Sequence, residues 1–201
     1  MYRFETILLT VDCGVAILTL NRQDTLNALN LPMMADIQSA MNIVESDSNI
    51  KALVITGAGR AFCSGQDLRN RPPQSVDVVT ALMEGYFPTL HAVKNSSVPV
   101  VTAVNGVAAG AGCAFALLGD LTIAGESASF IQVYSRIGLA PDLGSTYLLP
   151  RLVGRSRALR MMLTNEPISA STALQWGLVG ACVSDRALVK TAVQRAQLLT
   201  A

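Results

Sequence analysis

The stretch VPVVTAVNGVAAGAGCAF, Val98 to Phe115, joins a run of apolar residues to a segment of glycine and alanine that carries no charge. VPVVTAV is rich in branched residues and lacks the polar alternation of a half-exposed strand, so it reads as a short strand buried on both faces. The bare segment from Asn105 onward reads as a loop turning into a helix. The same succession occurs earlier in the chain. KALVITG (51–57) is a second buried strand, and it runs into the glycine-bearing loop GAGRAFCSGQDL (57–68). Two such passages predict related β-then-α units and an α/β fold.

Near the N-terminus, ILLTVD and VAILTL flank Cys13-Gly14 as the strands of a hairpin, with the glycine supplying the turn. LPMMADIQSAMNIVESD has apolar residues at helical spacing and Pro32 near its start. RNRPPQS is a proline-containing surface segment, and the run from Val76 to Val93 has helical period. DLTIAG is a further strand. SASFIQVYSRIGLAPDLGSTYLLPRLVG reads mostly as loop with short helical pieces, RSRALRMMLT and SASTALQWG as helices, and LVGACVSD as a late strand. A final helix runs from Arg186 to the end, and the chain stops inside it. No low-complexity linker marks a domain boundary, so residues 1–201 read as one domain.

The bulk numbers narrow the function. Hydrophobic residues make up 51% of the 201 and charged residues 14%, which fits a well-buried globule and not a disordered chain. A net charge of +1 gives no electrostatic case for nucleic acid or an anionic membrane. No apolar run approaches the roughly 20 residues of a membrane helix, and the N-terminus lacks the apolar core of a signal peptide. Four scattered cysteines without a C-x-x-C pair, and His91 as the one histidine, argue against zinc and for reduced thiols in the cytoplasm.

Several chemistries are excluded by motif. GAGRAF lacks the third glycine of a dinucleotide fingerprint, GVAAGAG has the wrong spacing, and no G-K-S or G-K-T makes a P-loop. GESAS lacks the closing glycine of a nucleophile elbow, and His91, late in an apolar helix, reads as a packed or surface residue. What remains is backbone. The first amides of a helix have no intrahelical partner, so two strand-to-helix junctions made of small residues can together hold an oxyanion. Glycine and alanine at such places also serve simply to let two backbones pack closely.

With these residues in view, the sequence resembles the crotonase family, the enoyl-CoA hydratases and isomerases, over essentially its whole length. LNRQDTLNALN resembles the segment after the family's first hairpin. ALVITGAGRAFCSGQDL and VPVVTAVNGVAAGAGCAFALLGDLTIA resemble its two oxyanion loops, and FIQVYSRIGLAPDLGSTYLLPRLVG its later active-site stretch. The resemblance implies a spiral of ββα units to about residue 185. From 186 it implies the start of a C-terminal helical region that this chain carries only in part. It also implies trimers or dimers of trimers, and acyl-CoA substrates with no cofactor beyond the coenzyme A they bring.

Carried over by position, the two amides that polarise the thioester carbonyl are those of Gln66 and Ala111, the latter between Gly110 and Gly112. Each well-aimed donor to an enolate oxygen is worth on the order of 3 kcal/mol in the transition state. The resemblance places Arg22 and Arg69 near the CoA phosphates and the backbone from Ala61 to Leu68, Ser64 included, near the adenine. Either arginine can equally be an exposed solubilising charge. Asp67 is expected to shape its loop through hydrogen bonds to backbone.

Family hydratases add water with two glutamates, and the matching positions here hold Ala114 and Tyr134. Neither is a carboxylate base, so both are expected to shape an acyl pocket, whose width depends also on Met83, Tyr86 and Phe87. Glu126 and Glu166 do not match family positions and read as surface residues. Asp142 does match one, where isomerase members carry an acid that shuttles a proton. By residue pattern alone, an aspartate after Pro141 and before LGSTYLL caps a helix. The resemblance thus implies a CoA-thioester isomerase acting on an epoxyphenylacetyl or Δ3/Δ2-enoyl substrate. A hydratase using another base and a non-catalytic acyl-CoA binder are the rival readings.

Overall fold

A computed structural model of the protein describes residues 2–69 and 78–200. Most of RNRPPQS, and the start of the helical run predicted from Val76, lie outside the described residues.

The chain opens with β1 (Tyr2–Arg3) and a hairpin of β2 (Ile7–Asp12) and β3 (Val15–Leu20). Its two-residue turn holds both Cys13 and Gly14 at positive φ, 47° and 78°, the geometry that suits the twist of paired strands. Three times thereafter a long strand is followed by a short one: β4 (Ala52–Gly57) by β5 (Ala61–Cys63), β6 (Val100–Val104) by β7 (Val107–Ala109), β8 (Leu121–Gly125) by β9 (Ser129–Ile131). With β10 (Ile168–Ser169) and β11 (Ala181–Val183), the long strands build a seven-stranded sheet ordered β1-β2-β3-β4-β6-β8-β11. The short ones build a four-stranded sheet ordered β10-β9-β7-β5. From β3 to β11 the large sheet is parallel. The ββα spiral implied by the resemblance is therefore the observed architecture. Asn105, between β6 and β7, binds neighbouring turns of it together: its Oδ1 accepts from Gly57 N at 3.1 Å and its Nδ2 donates to Gly59 O at 3.0 Å.

The helices are α1 (Leu31–Ser46), α2 (Val78–Thr80), α3 (Phe87–Lys94), α4 (Ala111–Ala116), α5 (Ser145–Thr164), α6 (Ala170–Trp176) and α7 (Leu188–Leu198), with a π-helical stretch, Ala81–Tyr86, joining α2 to α3. Asn30 caps α1 by accepting from Met33 N at 3.0 Å, and Pro32 lies in its first turn, where its missing N–H costs nothing. α7 places Leu188, Ala192 and Ala196 on one stripe against Val15, Val54, Ala103 and Ile123. This covers the second face of the large sheet and explains why β6 is buried at every position.

Three readings of the sequence need correction. β5, β7 and β9, predicted as loop, are strands of three residues, too short for alternation to register. The region after Asp142, predicted as mostly loop, is helical from Ser145. Pro150 and Gly154, the latter at φ 80° and ψ 160°, interrupt the pattern that would have revealed α5. The last helix begins at Leu188, after a 3-10 turn at Asp185–Ala187, rather than at Arg186, and closes at Leu198. Among the described residues no helix is long and apolar enough to cross a membrane.

Candidate active site

The first junction is the segment after β5. Leu29 pairs with it as an isolated parallel bridge: Leu29 N donates to Gly65 O at 2.8 Å and Leu29 O accepts from Asp67 N at 2.8 Å. In such a bridge the residue between, Gln66, directs its own N–H away from Leu29. Polar side chains fix the path. The Arg22 guanidinium bonds Asp67 Oδ2 at 2.8 Å and Ala28 O at 2.6 Å, and Asp67 Oδ1 accepts from Arg69 N at 3.0 Å. Asn27, fully buried at φ 57°, donates to both Ala58 O and Ala61 O at 2.9 Å.

The second junction runs from β7 into α4. Gly110 N donates to Ile131 O at 2.8 Å, and the first bond of α4 is Ala114 N to Gly110 O at 3.1 Å, so the Ala111 amide stands in the unpaired first turn. No side chain caps this end. The junctions meet through glycine. A Cβ on Gly65 (φ 107°) would lie 2.9 Å from Ala109 O and 3.8 Å from Ala111 N, and one on Gly112 only 2.2 Å from Cys63 O. Phe62 and Phe115, both fully buried with ring centroids 6.2 Å apart, pack behind the contact. Cys63 and Cys113 are sealed there too, and burial pushes both thiols up to about 12, so they stay protonated.

Asp142 lies beside this meeting point. It is half-buried, and its side chain does not cap α5: the N-cap position is Gly144, without a side-chain bond. Instead Asp142 Oδ1 accepts from the Tyr134 hydroxyl at 2.6 Å. Burial raises the Asp142 pKa above the ordinary carboxylate value, with the Tyr134 bond opposing part of that rise. Burial likewise raises the Tyr134 phenol, and the bond to Asp142 adds to the effect. The Tyr134 ring covers the second junction, since a Cβ on Gly110 would come within 3.8 Å of its Cζ. Tyr86 closes the far side. Its hydroxyl donates to Leu29 O at 3.2 Å, and its pKa is raised by burial, with the Asp67 and Asp142 carboxylates contributing.

Two cavities flank the site. A polar one of about 310 Å³ is lined by Ser64, Gln66, Asp67, Leu68 and Arg69, together with Thr25, Ala28 and Arg60. An apolar groove of about 480 Å³ is lined by Met83, Phe87, Leu90, His91, Leu118, Leu143 and Tyr147. Arg69 is exposed at the polar mouth, whereas Arg22 has its guanidinium engaged inside the first junction and does not line the cavity. Ala61 is buried within β5, and Ala114 is fully buried in α4. Glu126 and Glu166 are exposed. Sequence reasoning passes over Arg60, an exposed residue at the cavity, and Asn27, whose only local signal is an asparagine in a non-repeating segment before α1. It places Tyr86 only among the pocket-packing residues.

A two-sheet ββα spiral with paired glycine junctions beside a half-buried aspartate defines a class, and comparison with known proteins gives it its name. The chain belongs to the enoyl-CoA hydratase/isomerase family, the crotonase family, whose pattern matches residues 10–201. It is 43% identical over 199 residues to the 1,2-epoxyphenylacetyl-CoA isomerase of Escherichia coli K12, covering 97% of this chain and 76% of that protein. It is also 43% identical over 182 residues to a protein of Rhodobacter capsulatus described as a probable enoyl-CoA hydratase, covering 90% and 70%. The crystal structure of an enoyl-CoA hydratase from Bacillus anthracis superposes with a TM-score of 0.90 at 30% identity, covering 97% of this chain and 76% of that one.

Proposed function

We propose that the protein is an acyl-CoA thioester isomerase. The Gln66 and Ala111 amides hold the thioester oxygen while Asp142 removes a proton beside the carbonyl and returns it elsewhere along the acyl chain. Charge that develops on the oxygen meets donors already in place. The observation that carries the reading is the Asp142 carboxylate: half-buried, not spent on a helix cap, and raised in pKa toward the range useful for a base. Syn hydration needs a second acid, and the two positions where family hydratases carry theirs hold Ala114 and a phenol whose pKa is raised.

Coenzyme A enters by the polar cavity, with its phosphates toward Arg60 and Arg69 and its adenine along the backbone from Ala61 to Leu68. Arg22 supports that loop from beneath. The acyl group takes the apolar groove, which suits an epoxyphenylacetyl or Δ3/Δ2-enoyl chain. Likeness to the family supports a homotrimer or dimer of trimers working in the cytoplasm. A panel of enoyl, aryl and epoxy-aryl CoA thioesters tests the function. Isomerisation changes absorbance at constant mass, whereas gain of water would assign hydration and overturn the proposal.

A further inference from the structure

The geometry points to Tyr134 as a positioning residue for the base: its hydroxyl fixes Asp142 Oδ1 and leaves Oδ2 as the oxygen that takes and returns the proton. The inference rests on the isomerase reading of the site and goes beyond it. Tyr134 is 5% exposed and begins a short 3-10 turn, Tyr134–Ile137, so its ring has little freedom. The ring lies against Gly110, beside the Ala111 amide, and its hydroxyl reaches Asp142 at 2.6 Å. One side chain therefore ties the base to the second junction, keeping proton acceptor and oxyanion donor in register. Among the described residues no other side chain bonds the Asp142 carboxyl, whose one further hydrogen bond comes from its own backbone amide.

A phenol suits this place because it donates to a carboxylate without competing for the substrate proton. Its raised pKa keeps that donor protonated while Asp142 cycles. Among the described residues, the titratable groups facing the pair are Tyr86 from the π-helical stretch toward Asp142, and Cys113 from α4 toward Tyr134. Among the described residues no cation pairs with Asp142. The Tyr134 bond is therefore the main favourable contact its charged form has.

Tyr134→Phe removes that bond and keeps the ring. The acid limb of the kcat/KM profile for isomerisation should move to higher pH, by about half a unit or more, with kcat lowered and KM little changed. Replacing Tyr134 by 3-fluorotyrosine, a more acidic donor on the same ring, should move the limb to lower pH and serves if the Phe variant folds poorly. Carbon-13 NMR titration of the Asp142 carboxyl in the substrate-free protein, assigned with D142N, should show the same two displacements. An acid limb and a carboxyl titration that stay in place in both variants would overturn the inference. If the wild-type protein isomerises no thioester in the panel, the functional reading fails by itself. The carboxyl titration then decides the positioning: displacement supports it and no displacement overturns it.

Discussion

The two junctions beneath the site hold their amides in place by different means. The second, from β7 into α4, is buried from Ala108 to Phe115 and contains no polar side chain; its shape comes from close packing against Cys63, Val133 and Tyr134. The first, after β5, borders a polar cavity and is held by side chains: Asn27 on two carbonyls and Arg22 on Asp67. A junction packed closely on nearly every side can be set by sterics alone. One that must admit the polar part of a ligand needs directional bonds to hold an open shape.

The difference can be broken at its ends. Gly112→Val puts a branched side chain where even a Cβ comes 2.2 Å from the Cys63 carbonyl oxygen. It should cost about 3 kcal/mol or more, read as a fall in the thermal midpoint or loss of soluble protein. Asp67→Ala leaves the Arg22 guanidinium, with a side chain only 15% exposed, without its carboxylate partner. A loss of about 3 kcal/mol in a urea melt, falling at most to about 2 if water reaches the arginine, is expected. Weakened turnover should accompany it as the Gln66 amide loses its setting. Arg69→Ala, on an exposed side chain, should change stability by less than about 0.5 kcal/mol. Its effect should appear instead as a several-fold higher KM for the CoA thioester, partly reproduced in the wild-type protein by added salt.

Asp142 sharpens the comparison, because it belongs to neither scaffold. Burial raises its pKa in the folded protein, so the folded state binds that proton more tightly than the unfolded chain does. The stability this contributes is complete below the unfolded pKa and is lost as pH rises through the folded one. At neutral pH the ionised carboxylate is therefore a cost to the fold. Asp142→Asn, which keeps an oxygen for the Tyr134 hydroxyl, should melt no lower than the wild-type protein at pH 7, and differential scanning calorimetry across pH should show the two curves converging in acid.

Much of this was legible in the sequence, though unevenly. The long strands show because parallel strands buried on both faces leave continuous apolar runs such as ALVIT and VVTAV. The strands of the small sheet do not, since two or three residues carry no periodicity, and Pro150 and Gly154 conceal α5. Gln66 and Ala111 could be named as oxyanion donors only through family resemblance, because spacing alone allows either anion binding or close packing. The bracing network was illegible for another reason: Arg22 and Asp67 are 45 positions apart, and nothing local says that they meet. The contact between Tyr134 and Asp142 bridges a 3-10 turn and the loop before α5, within one stretch that reads in the sequence as mostly loop with short helical pieces.

On the proposed reading, one carboxylate working with two backbone amides transfers a proton on an acyl-CoA thioester. The most direct measurement follows double-bond migration and α-proton exchange in deuterated water for the wild-type protein and D142N side by side, with both melts recorded. The wild-type protein should isomerise and exchange, while D142N should lose on the order of 10³-fold in both with its melting unimpaired. Near-normal turnover by D142N would contradict that reading.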